Sequence, residues 1–324
     1  MGALLTQKGV DIDLITRNAE HARAMKEHGA VIYGLINETI PVHAMTPDEM
    51  QERYDIIFLM TKQMQNRKDA EFLLNYLSED GVICVLQNGI PEPELAQCIG
   101  EDRVIGGIVT WNAVRTEAGC VFVSPPASSL SFSVGTISGA RTPQLLKVQE
   151  VLSQMCVTEI VDNLMGLRWS KLIINACLSC PATILGGKCG DVLDDPQWRR
   201  VAMHILHECV TVGHAAGVEF VEIQGCNFAK ELDFVTEEEE QRSLALAPEC
   251  FSKYHPGVPS MLGDLQKGRP CEIDALVGVI CRMGREHGIA TPFSDMAVRT
   301  VKDISEGKIT FSKEHVARFV PLFT

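Results

Sequence analysis

A lysine and an asparagine on one predicted helix are the residues best placed for chemistry. Lys171 and Asn175 are one helical turn apart, so their side chains project from the same face. An ammonium group is both a point charge and an acid, and it can give a proton to an oxygen that gains negative charge. Burial would lower the pKa of the Lys171 ammonium toward the working range. The alternative is a helix lysine that extends its charged end from an apolar face into solvent.

The elements around this pair divide the chain into two parts. Short apolar segments, at residues 10–16, 30–35, 54–60, 81–86 and 103–109, first alternate with helical patterns at residues 18–28 and 66–77. Helical periodicities then dominate, at residues 164–185, 198–216, 273–287 and 294–306. Continuous apolar strands separated by helices predict a parallel sheet covered on both faces. We expect an α/β, Rossmann-like dinucleotide-binding domain at residues 1–161 and an all-helical substrate domain at residues 162–324, with the active site in the cleft between them.

The glycine-rich loop that normally opens a Rossmann domain is not found in the sequence. Such a domain begins with a strand, a GxGxxG loop and a helix. Here the chain begins MGALL, and Lys8-Gly9 is typical of the end of the first helix. Gly2 then occupies the position of the last glycine of the loop and is a candidate cofactor-binding residue. We expect that the first strand and the first two glycines precede Met1; the alternative is a domain that lacks this loop.

Arg17 favours NADP as the cofactor. It follows the apolar segment at residues 10–16, which would be the second strand of such a domain. NAD-binding domains place Asp or Glu there to bind the ribose 2′-hydroxyl, whereas this chain has Arg17. An arginine can pair with a 2′-phosphate through its planar guanidinium. The alternative is a surface arginine at the start of a helix. Lys62 follows the apolar segment at residues 54–60 and could face the cofactor in the same crevice.

Several segments resemble the ketopantoate reductase (2-dehydropantoate 2-reductase) family along essentially the whole chain. They are residues 87–89 (QNG), 166–175 (GLRWSKLIIN), 260–265 (SMLGDL), 268–274 (GRPCEID) and 288–292 (GIATP). The second is similar to the family's W-x-K-L-x-x-N helix, and the next two to its S-M-x-x-D and G-x-x-x-E-I-D signatures. The resemblance implies a helical domain of the 6-phosphogluconate dehydrogenase C-terminal type. It also implies NADPH-dependent reduction of ketopantoate to pantoate, a pantothenate precursor.

The resemblance also implies roles for individual residues. Lys171 matches the general acid, and Glu272 and Asn175 match its partners at the substrate, with Glu272 also counted among the cofactor-binding residues. Ser260 matches a substrate-binding serine. Asn88 is expected where nicotinamide meets substrate. From the residues alone, Glu272 could instead cap the following helix, and Asp264 could either contact substrate or position the Ser260 turn.

One position departs from the family pattern and leaves the substrate open. The family carries Asn-Pro two turns beyond the lysine, with the asparagine contacting substrate. Here Ser179 stands at the asparagine spacing and the proline comes one residue late, at Pro181. A serine hydroxyl has one donor where an amide has two. The alternatives are reduction of another branched 2-ketoacid, or a non-catalytic NADP-binding protein.

Composition excludes several other classes of protein. The formal net charge of −13 argues against nucleic-acid binding, and no apolar run approaches a membrane span, so we expect a cytoplasmic protein acting on a small molecule. The twelve cysteines do not predict a disulfide framework. The Cys177/Cys180 pair and the helix group His204, His207 and Cys209 are interpreted as structural, and no metal is expected. Trp198 could serve a homodimer interface or the core.

Overall fold

The computed structural model describes residues 1–124 and 130–323, which form two compact units. The first unit comprises Met1–Thr61, Gln65–Gln87 and Glu92–Leu164. The second comprises Lys62–Met64, Asn88–Pro91 and Met165–Thr324. Two short segments of the first half, at residues 62–64 and 88–91, are therefore part of the second unit. Both segments carry predicted site residues, Lys62 and Asn88.

The first unit is of the α/β class, as expected. Its helices are α1 (Gly2–Gln7), α2 (Ala19–His28), α3 (Asn66–Leu73), α4 (Glu92–Ile99) and α5 (Pro143–Ser153). Its strands are β1 (Asp13–Ile15), β2 (Ala30–Gly34), β3 (Glu38–Ile40), β4 (His43–Met45), β5 (Tyr54–Leu59), β6 (Leu77–Val85), β7 (Val104–Val109), β8 (Ala113–Glu117), β9 (Cys120–Val123), β10 (Ser131–Gly135) and β11 (Val157–Ile160).

The largest sheet of this unit has the strand order β11-β10-β7-β6-β5. Strands β5, β6 and β7 are parallel, in agreement with their continuous apolar sequences, and most residues of β6 and β7 are buried. The predicted parallel sheet is confirmed at these strands, and β10, which the sequence analysis did not predict, runs antiparallel to β7, with Phe132 opposite Val109. An antiparallel strand within a mostly parallel sheet is common in such folds.

Two smaller sheets accompany the large one. Strand β1 pairs in parallel with β4, and the other sheet has the order β3-β2-β9-β8. Strand β1 covers only the end of the apolar segment expected at residues 10–16. The helix after it begins as predicted, because the Asn18 side chain accepts a hydrogen bond from the His21 backbone N–H. Helix α1 ends before Lys8, where a turn was expected.

The second unit is helical, which confirms the predicted change from alternating strands and helices to helices alone. Its helices are α6 (Leu164–Ile174), α7 (Cys180–Leu185), α8 (Cys189–Asp194), α9 (Pro196–Ala215), α10 (Phe228–Leu232), α11 (Glu237–Cys250), α12 (Ser260–Gln266), α13 (Ile273–Glu286) and α14 (Pro292–Ser305). Their apolar faces form one large core. Trp198 lies in that core, 1% exposed, where its indole donates to the Lys313 carbonyl.

The histidines of α9 are held by acids and aromatic rings, as the structural interpretation predicts. His204 contacts the Glu240 carboxylate and stacks on Phe293, while His207 contacts Asp233. Glu208, the residue after His207, accepts hydrogen bonds from backbone N–H groups at the start of α14, and burial raises its pKa to about 7. Among the described residues, no helix combines the length and the apolarity needed to cross a membrane.

A π-helical turn at Asn175–Ser179 separates α6 from α7. Pro181 accounts for it physically. A proline within a helix lacks the N–H that would donate to the carbonyl four residues earlier, here that of Cys177, and its ring clashes with that carbonyl. Widening the preceding turn relieves the clash without ending the helix, and such π-turns occur often at functional sites. Pro181, which comes one residue later than in the family pattern, therefore accounts for the π-helical turn in the backbone.

Candidate active site

A narrow stripe of partly exposed residues marks one face of the helix that carries Lys171. Between Arg168 and Ile184, every residue is buried except Lys171, Asn175 and Ser179. The three are spaced by four residues, so they follow one face of α6 and the π-turn. The expected pairing of Lys171 and Asn175 on one face is therefore present. Because the rest of this segment is packed in the core, the stripe is rigidly supported.

The environment of Lys171 changes its acidity. Desolvation, and to a lesser extent the charge of nearby Arg168, lower the pKa of the Lys171 ammonium to about 8. Arg168 itself is 2% exposed, so its positive charge lies within the protein and is only weakly screened. Lys171 is thus an ammonium that can lose its proton close to neutral pH, which an exposed lysine does not do.

Ser179, at the C-terminal end of the stripe, already has polar partners. Its side chain lies beside the Cys189 thiol and offsets part of the rise in that thiol's pKa, and its carbonyl accepts from the Thr183 hydroxyl at 2.7 Å. In a π-helical turn the backbone hydrogen bonds span five residues instead of four, which changes the direction of the side chains that follow. Ser179 therefore has a different environment from an asparagine on an uninterrupted α-helix.

Gln63 connects two of the predicted site residues within the second unit. Its backbone N–H donates to the Glu272 carboxylate at 2.9 Å, and its side-chain amide donates to the Asn88 carbonyl. The Asn88–Gly89 turn lies against α13, because a Cβ on Gly89 would come within 2.6 Å of the Ala275 carbonyl oxygen. Gly89 also has a φ of +75°, a conformation that favours glycine.

Glu272 directly precedes α13, yet its side chain makes no capping hydrogen bond to that helix. The capping alternative is therefore wrong, and the carboxylate is directed to Gln63 instead. Burial raises the pKa of Glu272, whereas the Gln63 hydrogen bond and the charge of Lys62 lower it. The carboxylate is partly buried and has a defined orientation, which suits a group that must hold a neighbouring ligand in place.

Lys62 and Asp264 form an ion pair, with 2.5 Å between the ammonium nitrogen and a carboxylate oxygen. The Lys62 ammonium also lies 3.4 Å from the Pro270 carbonyl oxygen. Asp264 lies on α12, and its carbonyl accepts from the backbone of Arg269. Ser260 is the first residue of the same helix and is exposed. The pairing brings Lys62, a predicted cofactor residue, next to Asp264, a predicted substrate residue.

In the first unit, Arg17 forms an ion pair that the sequence analysis did not anticipate. Its guanidinium binds the carboxylate of Asp69, a buried residue in the first turn of α3. The Thr61 hydroxyl, after β5, is 3.3 Å from the other Asp69 oxygen, and the Gln87 amide donates to the Thr61 carbonyl at 2.7 Å. The arginine side chain remains 60% exposed. A polar network thus surrounds the carboxyl ends of β5 and β6.

Gly2 lies at the start of α1, where the helix packs tightly on a strand. A Cβ added to Gly2 would come within 3.0 Å of the Leu14 side chain. Close helix–strand packing is the physical reason for the last glycine of a dinucleotide-binding loop. The place of Gly2 at a cofactor stays a prediction.

Two residues of these networks were missed by sequence reasoning, Gln63 and Asp69. Gln63 directly follows Lys62 beyond a strand end, so its position offered a weak signal. Asp69 is 52 residues from its partner Arg17, and nothing in the sequence links the two. Both contacts depend on how distant segments pack.

Comparison with known proteins gives matches along both halves of the chain. The family model for ketopantoate reductase PanE/ApbA matches residues 1–133, and that for the ketopantoate reductase PanE/ApbA C terminal matches residues 163–305. The 2-dehydropantoate 2-reductase of Streptococcus pyogenes serotype M3 is 24% identical over 303 residues, or 93% of this chain and 92% of that protein.

Two solved structures show the same fold. A PanE/ApbA family ketopantoate reductase from Ralstonia eutropha JMP134 has a TM-score of 0.79 at 20% identity, covering 95% of this chain and 94% of that one. A D-mandelate dehydrogenase, in a ternary structure with NADH and anilino(oxo)acetate, has a TM-score of 0.77 at 22% identity and covers 94% of each chain. At these identities the likeness establishes the fold over nearly the whole chain.

Proposed function

Because the chain belongs to the ketopantoate reductase family, we propose that it reduces 2-dehydropantoate to pantoate with NADPH, a step of pantothenate biosynthesis. The observation that carries the proposal is the stripe of Lys171, Asn175 and Ser179 on an otherwise buried helical segment, with the pKa of Lys171 lowered to about 8. Desolvation of an ammonium costs free energy, and a strongly shifted pKa is typical of a group with a chemical role.

Lys171 is the general acid of the proposed reaction. A reduced nicotinamide cofactor supplies the hydride, which adds to C2 of the ketoacid. Negative charge then develops on the former carbonyl oxygen, and the Lys171 ammonium stabilises that charge and delivers a proton to it. With a pKa of about 8 the group is mostly protonated at neutral pH and is a stronger acid than an ordinary lysine.

The remaining predicted residues position the substrate. Asn175, one turn from Lys171, can donate from its amide to a substrate oxygen, and Ser179 can accept or donate at the end of the stripe. Ser260 and Asp264 are proposed to contact the substrate's hydroxyl and carboxylate ends. Glu272, oriented by Gln63, is proposed to accept a hydrogen bond from the substrate hydroxyl and to hold Lys171 in place.

The polar groups at the strand ends of the first unit fit a dinucleotide. The exposed guanidinium of Arg17 offers N–H donors to a 2′-phosphate, as NADPH requires. The Asp69 carboxylate offers acceptors to ribose hydroxyls. Gly2 at the start of α1, Lys62 and Asn88 are the other proposed cofactor contacts. Since a carboxylate repels a phosphate, Asp69 is the residue that could favour NADH, the cofactor held by the D-mandelate dehydrogenase neighbour.

A reductase of a different 2-ketoacid is the second candidate. The observation that favours it is the π-turn that carries Ser179, beside Cys189, in place of the family's asparagine. The neighbouring D-mandelate dehydrogenase shows that this fold can act on an aromatic 2-hydroxyacid. A serine leaves more room and fewer donors than an asparagine, so a bulkier or less hydroxylated ketoacid could be accommodated.

A substrate panel tests both candidates. Initial rates of NADPH and NADH oxidation would be measured with ketopantoate, 2-ketoisovalerate and benzoylformate. We expect the highest kcat/KM with ketopantoate and NADPH. A higher value with another ketoacid would support the second candidate. NADPH binding by titration, without turnover of any ketoacid, would overturn the reductase assignment and leave a non-catalytic nucleotide-binding protein.

A further inference from the structure

Two cysteines and a glutamate converge at the surface of the second unit, apart from the residues discussed so far. The thiol sulfurs of Cys226 and Cys250 and a carboxylate oxygen of Glu231 all lie within 4.8 Å of one another. Among residues 1–124 and 130–323, this is the one such group of three possible metal ligands. We propose that Cys226, Glu231 and Cys250 bind a thiophilic divalent cation, with Zn²⁺ as the best match.

Three separate elements supply the three side chains. Cys226 closes a tight turn in which Ile223 pairs with Cys226 and Gln224 has a positive φ of 53°. Glu231 lies on α10, and Cys250 is the last residue of α11. A cation bound here would join the turn to both helices and would close a loop of the chain between Cys226 and Cys250. Such a role is structural.

The side chains already have the orientation that a bound cation requires. One Glu231 oxygen accepts from the Asn227 backbone N–H at 3.2 Å, which leaves the other oxygen directed at the Cys250 sulfur, 3.8 Å away. Fixing a ligating carboxylate through its second oxygen is what outer hydrogen bonds do in metal sites. Cys226 is only 6% exposed, whereas Glu231 is exposed, so the open side of the group faces solvent and a water can complete a tetrahedron.

The surrounding charges are compatible with a cation bound by two thiolates and one carboxylate. Such a complex with Zn²⁺ has a net charge of −1, and Lys253 lies at the same turn, where its ammonium donates to the Gln224 carbonyl at 2.7 Å. The other groups facing the site are the exposed Glu249 carboxylate and the Tyr254 phenol, whose pKa burial raises to about 12.

Ligand chemistry favours a metal over a disulfide. A disulfide would use only the two thiols, whereas a Glu231 carboxylate oxygen, 3.8 Å from the Cys250 sulfur, adds a third ligand that a cation can use. Binding converts Zn²⁺, two thiols and one carboxylate into a complex with two Zn–S bonds and one Zn–O bond, and releases two protons.

Metal binding by the reduced full-length chain tests this proposal. The apoprotein would be prepared with a chelator and a phosphine reductant, then titrated with Zn²⁺ and, as a spectroscopic probe, Co²⁺. We expect one more Zn²⁺ per chain in the unmodified protein than in the Cys226→Ser/Cys250→Ser double variant. We also expect a thiolate-to-cobalt charge-transfer band that each cysteine substitution weakens. The Zn²⁺ affinity should rise by about a hundredfold per pH unit near neutrality, because two protons are released.

Matched variants keep the test independent of folding. Glu231→Gln changes an exposed side chain without changing its shape and should weaken Zn²⁺ binding by about tenfold or more. The control is Cys98→Ser/Cys120→Ser, two partly exposed cysteines of the first unit, which should leave binding unchanged. Zn²⁺ should also raise the melting temperature of the control but not of the double variant.

Equal Zn²⁺ stoichiometry in the unmodified protein and the Cys226→Ser/Cys250→Ser variant would overturn the proposal. So would a Glu231→Gln variant that binds Zn²⁺ as tightly as the unmodified chain. If mass spectrometry instead finds a Cys226–Cys250 disulfide, and the reduced protein binds no additional Zn²⁺, the group is a redox pair and the metal site is rejected. None of these measurements depends on the reductase activity.

Discussion

Lys171 and Arg17, in different units of the molecule, show two ways of using a positive charge. Lys171 belongs to a helical segment that is buried except for one stripe, and desolvation brings its pKa to about 8. Arg17 is 60% exposed at a strand end and has a carboxylate partner, Asp69. Burial lowers the pKa of the first group, which suits the proton transfer proposed for it. The second group offers a planar guanidinium whose charge is shared with its carboxylate partner.

Removing the ammonium of Lys171 should give the largest effect. We expect Lys171→Ala to lower kcat for ketoacid reduction by about a hundredfold or more, because the developing oxyanion loses its proton donor. Steady-state kinetics would measure this, with Lys8→Ala, an exposed lysine of the first unit, as the matched control. A Lys171→Ala enzyme with nearly normal kcat would show that Lys171 is not the proton donor, so its charge would differ from that of Arg17 in burial only.

The pH profile should show the acidity of Lys171. Its protonated form, the one that donates, predominates below its pKa of about 8 and is lost as the pH rises through that value. We therefore expect kcat/KM for reduction to fall by about tenfold per pH unit above 8, and oxidation of the hydroxyacid to become faster over the same range. A reduction rate that stays constant to pH 10 would contradict this assignment.

Substitution of Arg17 should change the choice of cofactor more than the chemical step. We expect Arg17→Ala to lower the ratio of kcat/KM for NADPH to that for NADH by about tenfold, since a charge-assisted hydrogen bond at a largely exposed site is lost. The kcat at saturating cofactor should change little. Arg23→Ala, another exposed arginine, on α2, is the control. An unchanged cofactor ratio would show that Arg17 is only a surface residue.

The smallest effect is expected at Asp69. Asp69→Asn removes the negative charge that occupies Arg17, so the NADPH to NADH ratio should rise by about threefold. The amide keeps the size and a hydrogen-bonding oxygen, which limits damage to α3. If the NADPH to NADH ratio falls instead, Asp69 orients Arg17 for the phosphate. Arg17 and Asp69 would then act together as one preorganised binding pair. Circular dichroism would confirm that the variant is folded.

Local patterns account for what the sequence predicted correctly. The helix at Ala19–His28 lies within the pattern predicted at residues 18–28, with Asn18 as its cap, and the long periodic segments of the second half are helices. The common face of Lys171 and Asn175 follows from helical spacing alone. Strand β10 and the antiparallel pairing with β7 were missed, since strand partners are set by packing across the sheet and not by neighbouring residues.

The sequence by itself determined the long helices of the second half, which helix face carries Lys171, and that a lysine, an asparagine and a glutamate recur in the pattern of one family. The tertiary structure alone decided that Asp69 pairs with Arg17, that Gln63 orients Glu272, and that Cys226, Glu231 and Cys250 meet. The physical reason is the separation along the sequence over which each effect acts. Helical periodicity is expressed over a few residues, whereas desolvation and ion pairing depend on atoms that the folded chain brings together from distant positions.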